Sequence, residues 1–254
     1  MASIKAWVKA ARLRTLPLAI TCVMIGGAIG FSINPHASLP VFLLALLTVV
    51  KLQTLSNFAN DYGDFIKGTD KGRKDRALAS EDISPEEMRA KIILSSITVF
   101  ILGCVTINQA FKDVGIDIKA AGLFISGIAA IAAALKYTMG RFAFGYRGLG
   151  DIFVLIFFGY VGVIGVAFLL TQTFEWVWLL PASFSGLMAT SVLNLNNLRD
   201  HESDKLAGKN TLVVKMGYQN GKMYHLALVL GAWLCLIPFL YGVFGGEVWR
   251  GGMW

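Results

Sequence analysis

The sequence predicts an all-α fold: a polytopic bundle of transmembrane helices forming one domain over residues 1–254. Three observations lead there. Hydrophobic residues make up 56% of the chain and charged residues only 15%, whereas a soluble domain needs about a quarter charged residues to cover its surface. The apolar residues fall into seven runs, each long enough to cross ~30 Å of hydrocarbon. The polar connectors between those runs alternate in basicity, as the loops of a multi-pass protein do.

The runs cover residues 15–33, 39–60, 92–111, 118–137, 149–171, 176–197 and 223–244. The first follows Lys5, Lys9, Arg12 and Arg14 and so resembles a signal peptide. Its apolar part has the length of a full span, however, and no small-x-small cleavage site follows it, so it reads as the first transmembrane helix. The polar stretches 61–91 and 198–222 are too short for a soluble domain. Gly26, Gly27, Gly30, Gly159, Gly162 and Gly165 lie inside spans and read as close helix packing. Cys22, Cys104 and Cys235 lie in apolar runs without metal-ligand spacing, which argues against a disulfide framework or a zinc site.

The net charge of +7 could suggest nucleic acid, but its placement argues for topology instead. The N-terminal segment and the connectors after the second, fourth and sixth runs hold 19 of the 23 Lys and Arg. The positive-inside rule places all four in the cytoplasm. Lys112, Lys119 and Arg250 fall on the opposite side, and Lys51 lies within the second run.

Two acidic clusters end helices on the basic side. The second run leads into Asn57, Asn60, Asp61 and Asp64, with Asp70 beyond; the sixth leads into Asn196, Asn197, Asp200 and Asp204. Asp61 and Asp64 are three apart, Asp200 and Asp204 four apart. If the helix continues, each pair projects from one face. Like charges so placed need compensation, and Mg²⁺ is held by one or two carboxylates together with waters and substrate phosphates. Lys67 and Arg76 follow the first cluster, and Lys205 and Lys209 the second, which suits a metal–diphosphate site. Solvated helix ends would explain one such cluster; two on one side, each with Asn a turn before its Asp, point to chemistry. Ser84-Pro85-Glu86-Glu87 reads differently, as the capped start of a surface helix.

At these residues the sequence resembles the UbiA superfamily of intramembrane aromatic prenyltransferases. Asn60-Asp61-x-x-Asp64 with Asp70 resembles the family's first Asp-rich motif, and Asp200-x-x-x-Asp204 its second. Arg14-Thr-Leu-Pro17, Lys67-Gly-Thr-Asp70, Tyr146-Arg-Gly-Leu-Gly-Asp151 and Gly208-Lys-Asn-Thr-Leu212 are similar to the branch that prenylates 1,4-dihydroxy-2-naphthoate in menaquinone synthesis. The resemblance runs from about residue 10 to 230. It implies a multi-pass enzyme of the cell inner membrane that transfers a polyprenyl chain from its diphosphate to the naphthoate with loss of CO₂. Asp61, Asp64, Asp200 and Asp204 would hold Mg²⁺, with Asp70 as a further ligand or support. Arg76, Lys136, Lys205, Lys209 and Lys67 would neutralise the diphosphate. Tyr137 would face the allylic cation. Asn57, Asn60, Tyr146 and Asn197 would border the substrates, and Arg14, Arg141 or Arg147 would take the acceptor carboxylate.

The family pattern has nine helices against seven counted here, so the resemblance implies a chain lacking the last two. Glu81 and Asp82 also stand where the family has glycine. Other aromatic acceptors, 4-hydroxybenzoate or homogentisate, fit the same motifs. A transporter is the rival from another class, but its ion path needs polar residues at mid-span, and the fourth, fifth and seventh runs are nearly free of them. An inactive binding homologue is the third reading.

Overall fold

The computed structural model describes residues 2–244. Arg250 and the glycine-rich segment 245–254 lie outside the described residues. Among the described residues the elements are all helical, and seven helices are long and apolar enough to cross a membrane. They bear out the spans read from hydropathy, with differences at the ends that matter to the site.

A short amphipathic helix, α1 (Ile4–Ala11), precedes the first span. Ser3 caps it, and Ala6 and Ala10 bury one face while Trp7 packs edge-on to Phe58 at 5.7 Å. Arg12 ends it in the left-handed region at φ 48°, a conformation costly for a residue with a Cβ. The chain then turns into α2 (Leu16–Ile33), where Pro17 is tolerated because the first turn has no intrahelical donors to lose.

The second span, α3 (Leu39–Ile66), runs a turn and a half past the predicted end at 60. That extension carries Asp61 and Asp64 on the helix itself. The third, α4 (Pro85–Ala110), starts at Pro85 rather than 92. The segment read as a surface helix is therefore the beginning of this span. Ser84 and Glu87 form a capping box, with the Glu87 N–H donating to Ser84 Oγ at 3.2 Å and the Ser84 N–H to Glu87 Oε2 at 3.3 Å.

After α5 (Ile118–Lys136) the fifth span is composite: α6 (Gly150–Val154), a π-helical stretch Leu155–Ile164, and α7 (Gly165–Thr171). The π stretch packs against α8 (Leu179–Arg199) through glycines. A Cβ on Gly159 would stand 2.6 Å from the Ala182 carbonyl oxygen, and one on Gly186 2.6 Å from that of Leu155. The close packing expected at Gly26, Gly27, Gly30, Gly159 and Gly162 is present, whereas a Cβ on Gly165 would meet nothing within 4 Å. α9 (His201–Leu206) and α10 (Leu212–Met216) lead into the last span, α11 (Tyr218–Phe244).

Among the described residues two apolar clusters hold the bundle. One joins α2, α3, α7 and α8 around Val23, Val163 and Trp178. The other joins α1, α3, α4 and the 77–83 loop around Leu55, Leu78 and Met88. Leu94, Ile101, Ile125 and Leu234 stay exposed on the outer surface, as lipid-facing positions require.

Candidate active site

A cavity of about 400 Å³ opens inside the bundle, lined by α2, α3, α4, α5, the fifth span and α8. Its body is apolar, with Phe153, Phe157, Val161 and Leu169 on the walls. Thr48 and Thr106 reach it too, but their hydroxyls donate to the Leu44 and Leu102 carbonyls of their own helices. Its charged end gathers Asp64, Asp200, Asp204, Arg12, Arg73, Arg76 and Lys209.

The first cluster is built by the end of α3 and the loop after it. Asp61 is 1% exposed and accepts the Ala77 N–H on Oδ2 at 3.1 Å, while Oδ1 has no hydrogen-bond partner. Asp64 accepts from the Tyr146 hydroxyl at 2.8 Å, and Arg76 lies 3.7 Å from its other oxygen. Asp70, buried behind them, has Arg76 at 3.3 Å and Arg73 at 3.8 Å as ion pairs. Burial, then the neighbouring Asp64 charge, pushes the Asp70 carboxyl up to about 7. Lys67 lies 3.8 Å and Lys209 5.5 Å from the centre of the Tyr146 ring. Burial raises the Tyr146 phenol, so it stays protonated and keeps donating.

The second cluster differs from a continuous helix. α8 ends at Arg199, and Asp200 takes φ −94° and ψ 7° before α9 begins. The Asp204 N–H still donates to the Asp200 carbonyl at 2.8 Å, so the two carboxylates remain a turn apart across the break. Arg199 grips Asp200 with two bonds of 2.7 and 2.6 Å. Burial opposes the Asp200 charge, but Arg199 and Arg73 outweigh it and hold the carboxyl below its usual range. Burial lifts Asp204 to about 6 against Lys209 at 3.7 Å.

Arg73 joins the halves. It lies 3.8 Å from Asp70, 2.9 Å from Asp75 and 3.4 Å from Asp200. Compensation of the acids therefore begins with guanidinium groups. Sequence reasoning counted Arg12 and Arg73 only as topological charges. Arg12 lines the cavity, with Asp61, Asp64 and Asp70 acting on it, and its Nη2 is buried without a partner.

The other expected residues divide. Asn60, Asn197, Arg14 and Tyr137 line the cavity. Asn57 does too, but its amide donates to the Ala11 carbonyl at 2.8 Å and Thr15 Oγ1 at 2.9 Å, tying the α1–α2 junction to α3. Of the three arginines considered for the acceptor carboxylate, Arg14 alone borders the cavity; Arg147 stacks on Phe142 at 4.9 Å. Lys67, Lys136 and Lys205 are exposed and do not line it. A lysine that follows a helix end satisfies topology without facing the interior.

Among the described residues no three His, Cys, Asp or Glu side chains converge as a metal cage. Mg²⁺ fits the residues nonetheless. Asp64, Asp200 and Asp204 line the charged end while Asp61 does not, its buried Oδ1 remaining an unspent acceptor, and the buried Arg12 Nη2 and Arg76 Nη1 are unspent donors. That combination suits a cation shared with an anionic ligand.

Residues 18–252 match the UbiA prenyltransferase family. The chain belongs to that family. This UbiA prenyltransferase is 44% identical over 240 residues to the 1,4-dihydroxy-2-naphthoate octaprenyltransferase of Haemophilus influenzae, covering 93% of this chain and 77% of the relative. It is 41% identical over 238 residues to the Escherichia coli protein of the same name, covering 92% and 76%. A solved UbiA homologue from Archaeoglobus fulgidus, bound to GPP and Mg²⁺, shares the fold at TM-score 0.67 and 15% identity, over 96% of this chain and 84% of that one. The chain is thus a multi-pass membrane prenyltransferase.

Proposed function

We propose that this prenyltransferase moves a polyprenyl chain from its diphosphate to 1,4-dihydroxy-2-naphthoate, releasing CO₂ and diphosphate, with Mg²⁺ as cofactor. The observation that carries the reading is the division of one cavity into a charged end and an apolar body. The names of the two bacterial relatives support the acceptor, and the ligands of the archaeal homologue support the donor and the metal.

Asp61, Asp64, Asp200 and Asp204 would hold Mg²⁺, with Asp70 behind them. The bound ion would supply Lewis-acid stabilisation of the diphosphate charge. Arg12, Arg76 and Lys209 bind the diphosphate and accept its growing charge as the C–O bond breaks and the electron pair stays on the leaving oxygen. The Tyr137 ring stabilises the allylic cation through its face. Phe153, Phe157 and Val161 keep water from that cation. Arg14 holds the acceptor carboxylate while the ring carbon attacks, and CO₂ then leaves from that carbon. The N-terminus and the basic loops lie in the cytoplasm, on the inner-membrane face where soluble substrates arrive.

The test uses purified protein in nanodiscs with the naphthoate and an all-trans polyprenyl diphosphate, product being followed by mass spectrometry. Prenylated product that needs Mg²⁺, disappears with EDTA and is lost in both Asp61→Ala and Asp200→Ala is the expected result. Product with 4-hydroxybenzoate or homogentisate but none with the naphthoate would overturn the acceptor.

A further inference from the structure

The stretch from the end of α5 to Gly150 carries four glycines, and backbone conformation explains two. Gly140 and Gly148 sit in the left-handed region at φ 80° and 76°, where a side chain is strained. Gly145 and Gly150 are not at positive φ. What they share is Tyr137. A Cβ on Gly145 would come within 2.7 Å of the Tyr137 carbonyl oxygen and 3.0 Å of ring atom Cε1. A Cβ on Gly150 would come within 2.9 Å of the Tyr137 hydroxyl and 3.2 Å of Cε2. The two glycines thus press on opposite edges of one ring.

The rest of the surroundings fixes the same ring. The Gly145 N–H donates to the Tyr137 carbonyl at 2.9 Å. Phe144 meets the Tyr137 ring edge-on at 5.4 Å and is itself stacked on Phe153 at 3.8 Å. The next residue, Thr138, is buried, and its hydroxyl donates to the Ala59 carbonyl at 3.0 Å, one turn from the Asp61–Asp64 pair. Tyr137 is therefore located relative to the acids by its neighbour and oriented by the two glycines.

We propose that Gly145 and Gly150 are positioning residues for prenyl transfer: their absent side chains form the slot that sets the Tyr137 ring on the cavity wall. The proposal rests on the prenyl-transfer reading above. A ring–cation attraction depends on distance and on the face presented, so a displaced ring slows ionisation while the diphosphate end, bound elsewhere, is unaffected.

Gly150 is the informative position, because its nearest contact is the far end of a side chain rather than backbone. Gly150→Ala is expected to lower kcat about tenfold or more and to leave the KM for the donor within about twofold. Gly122→Ala, on α5 where a Cβ meets nothing, is expected to leave both unchanged. Tyr137→Phe removes the nearest atom that the new methyl group strikes and leaves Cε2 and Cζ at 3.2 and 3.3 Å, contacts that a shift of a few tenths of an ångström relieves. In that background Gly150→Ala should cost clearly less in kcat than in the wild type, since contacting residues couple. An equal loss in both backgrounds would overturn the slot. Where Tyr137→Phe turnover is too low to measure, the same cycle is read from thermal midpoints: a smaller drop for Gly150→Ala in the Tyr137→Phe background supports the slot, and equal drops overturn it. A wild-type protein inactive on the naphthoate sinks the acceptor assignment alone, because the thermal cycle still judges the slot.

Discussion

Arg12 is the residue whose removal should tell most about the charged end. It lines the cavity wall with a buried, unspent Nη2 donor, and charge-assisted bonds to phosphate contribute about 1.5–3 kcal/mol each. Arg12→Met should therefore lower kcat/KM for the donor by about ten- to a hundredfold. Arg12→Lys should not restore it fully, since a point charge lacks the planar fork; full activity in the lysine variant, measured by product formation, would refute the fork. Asp70 and Asp204 set a pH dependence. Their folded values of about 7 and about 6 lie above the ordinary 3.8, so the folded protein binds more protons than the unfolded one between those limits. In the metal-free protein the stability these two groups contribute should accordingly be complete below about pH 4 and be lost as pH rises through 6 and 7. Mg²⁺ needs the ionised carboxylates, so its stabilising shift should grow over the same interval. Thermal unfolding in detergent with and without Mg²⁺ checks both slopes, and Asp70→Asn should flatten the first.

At the scale of elements, the glycines separate tight contacts from open ones. Gly186 packs against the π-helical stretch so closely that a Cβ would strike backbone, whereas Gly103 on α4 faces open space. Gly186→Ala should destabilise the protein by about 1–3 kcal/mol through overpacking. Gly103→Ala should be neutral, or stabilising by up to about 1 kcal/mol from helix propensity. Thermal midpoints of the two variants would decide it, and equal effects would contradict this packing of α8 on the fifth span. The capping box at Ser84 and Glu87 was visible in the sequence as a capped helix start, because caps are read from four adjacent residues. That it opens a membrane span could not be read from hydropathy, since the polar first two turns of α4 look like surface. The extension of α3 past 60 was hidden for the same reason: polar residues at a buried helix end resemble a loop.

Taken as a whole molecule, the chain places the acids of both clusters, the arginines of the described residues and most of its lysines at one end of the bundle. If that end is cytoplasmic, a single cysteine at Asp113 in an otherwise cysteine-free background should react with a membrane-impermeant thiol reagent in intact cells. A cysteine at Lys71 should react only after permeabilisation, and the reverse pattern would invert the topology. The sequence by itself determined the number of spans among the described residues, their order and the end that carries the charge. Hydropathy and charge are local properties of the chain, and each of these follows from counting along it. Tertiary structure alone decided that Arg12 and Arg73 enter the site, that Lys136 and Lys205 stand outside it, and that Asn57 is spent on tying α1 to α3. Whether a side chain faces a cavity depends on how its helix is rotated against helices far away in sequence, and no local pattern records that rotation.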